Sequence, residues 1–293
     1  MRLVPVPDVT QHAISVGSVS HAYARPDSGV VQTLNSVSLD IRKGELLCLI
    51  GPSGCGKSTL LNIIGGLVSP TAGEVRVNGQ PMRGPAPKEI AYVFQENTLF
   101  PWNTILENIK VALEFQGVPV SDRQDRANQA IEAVGLSEFA HSYPHQLSGG
   151  MKQRASLARA LSLQTDILLM DEPFAALDEQ TRTYLGEELS VLLAATNKTI
   201  VLVTHSLTEA VFLADRVVVM TARPAEIKAT INVNTGHPRE PSFTTSAEFS
   251  DLRNELYALL RDEIEKTVGG FVGRAAARDR ERRAVAGEGG ARS

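Results

Sequence analysis

Two clusters of residues have the types and spacing to do phosphate chemistry. Gly51-Pro52-Ser53-Gly54-Cys55-Gly56-Lys57-Ser58 fits the spacing G-x-x-x-x-G-K-[ST]. Glycines let such a loop curl until several backbone N–H groups point into one concavity. The concavity opens at a helix N-terminus, whose dipole favours anions. Lys57 adds a mobile cation for outer phosphates, the Ser58 hydroxyl is a candidate Mg²⁺ ligand, and Thr59 joins the set as a nucleotide contact. The second cluster is Asp171-Glu172, two carboxylates delivered by the apolar run Ile167-Leu168-Leu169-Met170. In an open α/β sheet such a strand end is where ligands sit. Asp171 is placed to hold Mg²⁺, directly or through water, and Glu172 to orient and polarise an attacking water. Together the clusters point to a nucleoside triphosphatase.

Several elements must position these groups. Five short apolar runs recur, at 46–50, 90–94, 167–170, 199–204 and 217–220. Runs that are apolar at every position suit strands buried on both faces, as in a parallel sheet covered by helices. Helical spacing lies between them, so the expected fold class is α/β. Residues 13–41 read as an antiparallel β region broken at Pro26-Asp27-Ser28-Gly29. Residues from about 97 to 162 carry no strong strand signal and read as a helical insertion. Beyond 225 the pattern weakens. Thr245 and Glu248 have capping-box spacing, followed by an apolar helical face of Phe249, Leu252, Leu256, Leu259, Leu260 and Ile264. The expected domains are therefore a core at 13–225, a helical extension at 226–270 and a disordered Arg-rich tail at 271–293.

Composition narrows the classes. The 293 residues carry a formal net charge of −4, which disfavours a general electrostatic grip on nucleic acid. There is no apolar run of about 18 residues to span a bilayer, and the first thirty residues lack the blocks of a secretory signal. The two cysteines, Cys48 and Cys55, form neither a disulfide framework nor a zinc site. Cys55 lies next to a helix N-terminus, which lowers a thiol pKa, so alkylation is expected to inhibit and MgATP to protect.

Leu147-Ser148-Gly149-Gly150-Met151-Lys152-Gln153-Arg154 is a third anion-site candidate, a serine and two glycines at a helix start. This octapeptide resembles the signature motif of ATP-binding cassette (ABC) proteins. Other landmarks stand in the family's order. The resemblance implies a P-loop NTPase cassette with a RecA-like core, an N-terminal antiparallel β region and a helical subdomain. It implies ATP and Mg²⁺ as ligands. By similarity, Tyr23 stacks on the adenine, with Tyr92 a rival on a buried strand; Gln95 is a Mg²⁺ and water ligand; Ala176-Leu177-Asp178 is the loop that crosses to a partner; and His205 is the switch histidine at the γ-phosphate. Gln153 is carried over with the signature as a nucleotide contact. The mechanism implied is intermolecular: ATP lies between the phosphate loop of one cassette and Ser148-Gly149-Gly150 of another, so two chains, most simply a homodimer, make a competent unit.

Three segments look like the ATPases of bacterial nitrate, sulfonate and taurine importers: 93–102, 170–178, and 204–210 with Ala222-Arg223-Pro224 beyond. Asn97 departs from that pattern, where proline is expected. The resemblance implies an integral membrane permease as partner, an extracytoplasmic solute-binding protein as an indirect one, and a peripheral place on the cytoplasmic face of the inner membrane. Phe100, Pro101 and Trp102 are candidates for the permease surface; the other reading is that Phe100 and Trp102 pack the helical insertion. A soluble ABC ATPase not coupled to transport is the alternative class. A kinase or GTPase is argued against by 147–154 and by the lack of a guanine-reading N-K-x-D element.

Overall fold

In the computed structural model, which describes residues 12–25, 29–175 and 177–266, two sheets share the work of placing the loops. The first is antiparallel: β1 (His12–Ala24), β2 (Val30–Arg42), β4 (Ala72–Val77) and β5 (Gln80–Pro81), in the order β2-β1-β4-β5. The second contains β3 (Leu46–Ile50), β6 (Ile90–Val93), β7 (Ile167–Asp171), β8 (Thr199–Val203), β9 (Arg216–Met220) and β10 (Ile227–Asn232). Its spatial order is β10-β9-β3-β8-β7-β6, parallel except for β10, which runs antiparallel to β9.

The five apolar runs are the five parallel strands, and their side chains alternate between two cores. Leu46, Cys48 and Ile50 face one core with Met170 and Leu202, while Leu47 and Leu49 face the other with Leu169 and Val201. Both faces are therefore dry, and each buried aliphatic side chain contributes roughly 1.5–3 kcal/mol. The β1–β2 hairpin lies where the sequence places it. The β4–β5 hairpin is an addition to the sequence reading. Its turn is Asn78-Gly79, both with positive φ, as a two-residue hairpin turn requires.

The helices are α1 (Lys57–Ile64), α2 (Ile105–Phe115), α3 (Val120–Ala133), α4 (Gly149–Leu161), α5 (Glu179–Ala194), α6 (Leu207–Leu213) and α7 (247–266). The expected helical insertion comprises α2, α3 and α4 with two short 3-10 turns, and among the described residues it contains no strand. A capping box of Thr104 and Glu107 opens α2. Arg159 near the end of α4 donates to the Thr98 carbonyl at 2.8 Å and to its hydroxyl at 2.6 Å, which ties the subdomain to the segment after β6.

The C-terminal third departs from the sequence reading in three ways. The boundary at 225 does not separate a helical extension, because residues 227–232 form β10 and complete the central sheet. The cap of α7 is Ser246, whose hydroxyl accepts from the Phe249 N–H at 3.1 Å; the Thr245 hydroxyl instead donates to the Ser242 carbonyl inside the preceding turn. The buried face of α7 keeps Phe249, Leu256 and Leu260, but Ile264 is largely exposed and Glu263 takes a buried place. Residues 267–293, which hold the end of the expected extension and the expected tail, lie outside the described residues.

Arg239 fastens this C-terminal segment. Its buried guanidinium donates to the carbonyls of Val211, Phe212, Ala214 and Thr235, which caps the C-terminus of α6. Burial lowers its pKa to about 10, so it stays charged at neutral pH. Among the described residues no helix is long and apolar enough to cross a membrane.

Candidate active site

Strand order decides which loops meet. The ends of β3, β8, β7 and β6 lie side by side, so the phosphate loop, His205, Asp171-Glu172 and Gln95 share one edge of the sheet. Lys57, His205, Glu172 and Gln95 line a cleft of about 740 Å³ that also takes in Tyr23, Ser53, Gly54, Ser58 and Thr59, while Asp171 lies buried behind Ser58.

The loop itself is fixed by close packing. Gly56 has a φ of +132°, and a Cβ there would lie 2.9 Å from side-chain atoms of both Leu34 and Thr33 on β2. Only glycine meets both demands. Lys57 is buried, and its ammonium donates to the loop carbonyls of Gly51 at 2.9 Å and Pro52 at 3.1 Å. The Ser58 hydroxyl donates to Asp171 Oδ1 at 3.1 Å. Burial pushes the Asp171 carboxyl up, the Ser58 bond opposes this, and neighbouring Glu172 adds to the rise.

Glu172 has a φ of +48°. A side-chain-bearing residue in that region costs about 1–3 kcal/mol. Its N–H bonds the Val203 carbonyl of β8 at 2.9 Å. The carboxylate is partly exposed in the cleft, and its Oε2 accepts from Gln95 Nε2 at 3.2 Å and lies 3.5 Å from His205 Nδ1. Two loops thus converge on one carboxylate oxygen. The oxygens of Ser58, Asp171 and Gln95 are hard donors of the kind Mg²⁺ takes alongside phosphate and water, so the residues present fit that ion.

Tyr23, at the end of β1, is 43% exposed at the cleft. Its ring stands edge-on to His21 at 4.5 Å, and its hydroxyl reaches Thr59 Oγ1 at 3.5 Å. The rival Tyr92 is committed elsewhere: its hydroxyl donates to Asn62 Oδ1 at 2.8 Å and its ring stacks on Phe94.

The signature residues do not line this cleft. Ser148 caps α4, its hydroxyl accepting from the Met151 N–H at 3.3 Å, and Ser148 and Gly149 are exposed. Gly150 packs against Leu177, since a Cβ there would lie 2.4 Å from Leu177 Cδ2. Asp178 is exposed and caps α5 through the Thr181 N–H and hydroxyl, which hold its carboxyl below the usual range. Ala176 lies outside the described residues.

Two expected roles are corrected. Gln153 is 5% exposed, on the inner face of α4, with its Nε2 unpaired, so it is not presented to a nucleotide. The Cys55 thiol is turned into the core beside Gly51, and burial pushes its pKa up, outweighing Lys57 and the nearby backbone N–H groups. Its backbone remains part of the loop, but its thiol is not the activated group that helix position alone suggests. The cleft also contains residues that sequence reasoning did not place there: Arg25, Val31, Thr33 and Arg223. The one signal was Ala222-Arg223-Pro224, which served only as a subfamily mark.

Comparisons with known proteins agree with this geometry. The ABC transporter family model matches residues 34–175. An uncharacterised ABC transporter ATP-binding protein of Methanocaldococcus jannaschii is 46% identical over 238 residues, 81% of this chain and 88% of that one. A taurine import ATP-binding protein of Roseobacter denitrificans is 38% identical over 270 residues, 88% and 97% of the two chains. Among solved structures, a dimeric ATP-binding cassette in a post-hydrolysis state with ADP and phosphate superposes with a TM-score of 0.69 at 32% identity, covering 76% of this chain and all of that one. On this identity and coverage, with the phosphate loop, the paired carboxylates and the signature helix in place, the chain belongs to the ABC transporter ATPase family.

Proposed function

We propose that this chain is the ATP-hydrolysing subunit of an importer for a small anion or an organosulfur or nitrogen solute, of the nitrate, sulfonate or taurine type. It works as a homodimer under a separate permease, on the cytoplasmic face of the inner membrane. A solute-binding protein serves the same complex indirectly.

In this reading Tyr23 stacks on the adenine, and the loop 51–56 with Lys57, Ser58 and Thr59 holds the phosphates. Glu172 takes a proton from the attacking water as the water oxygen closes on the γ-phosphorus, and the bond from that phosphorus to the β–γ bridging oxygen breaks to release ADP and phosphate. Lys57 and the α1 N-terminus stabilise the charge that spreads over the phosphoryl oxygens. Ser58, Asp171 and Gln95 would hold Mg²⁺, which supplies charge neutralisation on the β- and γ-phosphates when bound. His205 contacts the γ-phosphate and, through its place beside Glu172, the water. Ser148, Gly149 and Gly150 serve the nucleotide of the other chain, with Asp178 at the crossing. Nucleotide contacts made only in the closed pair shift the population toward closure, and loss of phosphate reopens it.

One observation carries this reading: the cleft gathers Lys57, Glu172, Gln95 and His205, while the exposed Ser148 and Gly149 cap lies outside it. For the permease, support comes from the 99–103 segment. Buried Asn108 accepts from the Phe100 N–H and donates to the carbonyls of Phe100, Asn103 and Thr104, and the loop it braces leaves Trp102 70% exposed. An exposed aromatic on a braced loop fits an interface anchor better than core packing.

Glu172→Gln is the test. It should lower phosphate release by ~10²–10⁴-fold, keep MgATP bound, and shift the chain to a dimer by light scattering. Turnover at the normal rate would remove Glu172 from the chemistry. Copurification with membranes, followed by uptake of nitrate, taurine and alkanesulfonates in a deletion strain, separates the importer from a soluble ATPase.

A further inference from the structure

The loop after β9 is a fifth strand-end segment at the nucleotide cleft. It follows a strand that pairs directly with β3, so it lies beside the phosphate loop. Arg223 in this loop lines the cleft, and its Nε and Nη2 both donate to the Gly54 carbonyl, Nε at 3.1 Å. Two of its five N–H donors are used on one neutral oxygen. Lys57 is held in the same way, on the carbonyls of Gly51 and Pro52. Both cations thus rest on weak acceptors of a loop built for phosphate. A phosphate oxygen is a stronger partner than a carbonyl, and the planar guanidinium matches it geometrically.

The backbone that carries Arg223 is pinned on two sides. Towards β2, the Ala225 N–H donates to Thr33 O at 2.8 Å, and Ala225 O accepts from the Asn35 N–H at 2.9 Å. Towards α7, the Ala222 N–H donates to Glu263 Oε2 at 3.0 Å. Glu263 is 1% exposed and paired with Lys228 at 2.9 Å and Lys266 at 2.6 Å. A buried carboxylate is costly unless satisfied. Here it is satisfied in part by the backbone of the loop that carries Arg223.

We propose that Arg223 binds the phosphate chain of the nucleotide beside Lys57, and that Glu263 of α7 is a positioning residue that fixes Arg223 through Ala222. The inference rests on the reading of this cleft as the nucleotide site. It gives the C-terminal helix a function at that site, with Arg223 on the binding surface and Ala222 as its link to Glu263.

The test measures MgATP and adenosine binding to the full chain by calorimetry. Wild type comes first: if it binds no MgATP, the nucleotide reading of the cleft itself falls. Arg223→Gln keeps a donor for the Gly54 carbonyl but loses the charge, and Arg223→Lys keeps the charge. The expected result is a loss of about ten-fold in MgATP affinity for the Gln variant, of less than about three-fold for Lys, and no change in adenosine affinity for either. Wild-type affinity in Arg223→Gln, or an equal loss for adenosine, overturns the phosphate role and leaves only a brace for the loop. Glu263→Ala should weaken MgATP by several-fold, and that loss should vanish when Arg223→Gln is already present. The same loss in both backgrounds overturns the positioning role. Should Glu263→Ala not fold, Ala222→Pro removes the same bond by deleting the N–H, with the same two outcomes.

Discussion

The cleft and the signature helix both present a helix N-terminus, the feature that favours anions, yet they are finished to different degrees. In the cleft the polar groups are bonded to one another: Lys57 to loop carbonyls, Ser58 to Asp171, Gln95 to Glu172. At the signature, the Ser148 hydroxyl bonds the N–H three residues on and, among the described residues, reaches no group outside its own helix, and Gly149 faces solvent. The difference teaches which of the two needs a second chain. A site that binds within one chain has its charges held in place before the ligand comes, which lowers the cost of ordering them. A surface that completes a neighbour's site has to stay open. The dimeric cassette that superposes on this chain is consistent with such a neighbour.

The sharpest way to break this comparison is to damage each half separately. Lys57→Met should weaken MgATP binding by the isolated chain ~10–100-fold, since a charge-assisted bond is lost, and turnover should fall at least as far. Ser148→Arg should cut turnover comparably, yet leave MgATP binding by the dilute single chain within about two-fold, because the hydroxyl lies outside that chain's own cleft. Calorimetry and phosphate release read both. If Ser148→Arg impairs binding by the single chain as Lys57→Met does, the two surfaces are not divided as described.

A smaller effect comes from two glycines. Gly56→Ala puts a side chain at a φ of +132° and against Leu34 and Thr33. It should cost about 1–3 kcal/mol in denaturant unfolding and weaken MgATP. Gly150→Ala meets only the mobile end of Leu177, which can turn away, so its cost should stay at or below about 1 kcal/mol. Equal costs would mean that the signature helix is packed as rigidly as the cleft.

The smallest effect concerns Cys55. Its thiol is buried with a raised pKa, so labelling by N-ethylmaleimide under native conditions should be slow. MgATP should change that rate little, because the thiol faces the core and not the cleft. Rapid labelling that MgATP blocks would restore the activated-thiol reading.

Much of this was legible locally. The five parallel strands are short runs apolar at every position, and that pattern has few other uses in a soluble chain. The phosphate loop and the Asp171-Glu172 pair are contiguous, so spacing alone located them. The β4–β5 hairpin carried a readable signal in Asn78-Gly79. By contrast β10 mixes exposed and half-buried residues, as an edge strand does, and gave no clear period. The fate of Cys55 and Gln153 was also not local. Each lies in a motif that faces a ligand, and which side of the backbone turns inward depends on packing from elsewhere in the chain.

The sequence by itself determined the chemistry and its order along the chain: a phosphate loop, a glutamine, a signature helix, paired carboxylates and a histidine, each after its own strand or at its own helix start. Those are short-range patterns, set by the dihedral and hydrogen-bond needs of a few adjacent residues. The tertiary structure alone decided which ends lie side by side. The order β9-β3-β8-β7-β6 brings Arg223 to Gly54 across 169 residues, and His205 and Gln95 to one oxygen of Glu172. Strand neighbours are chosen by how two faces of apolar side chains bury together, and that choice belongs to the whole sheet.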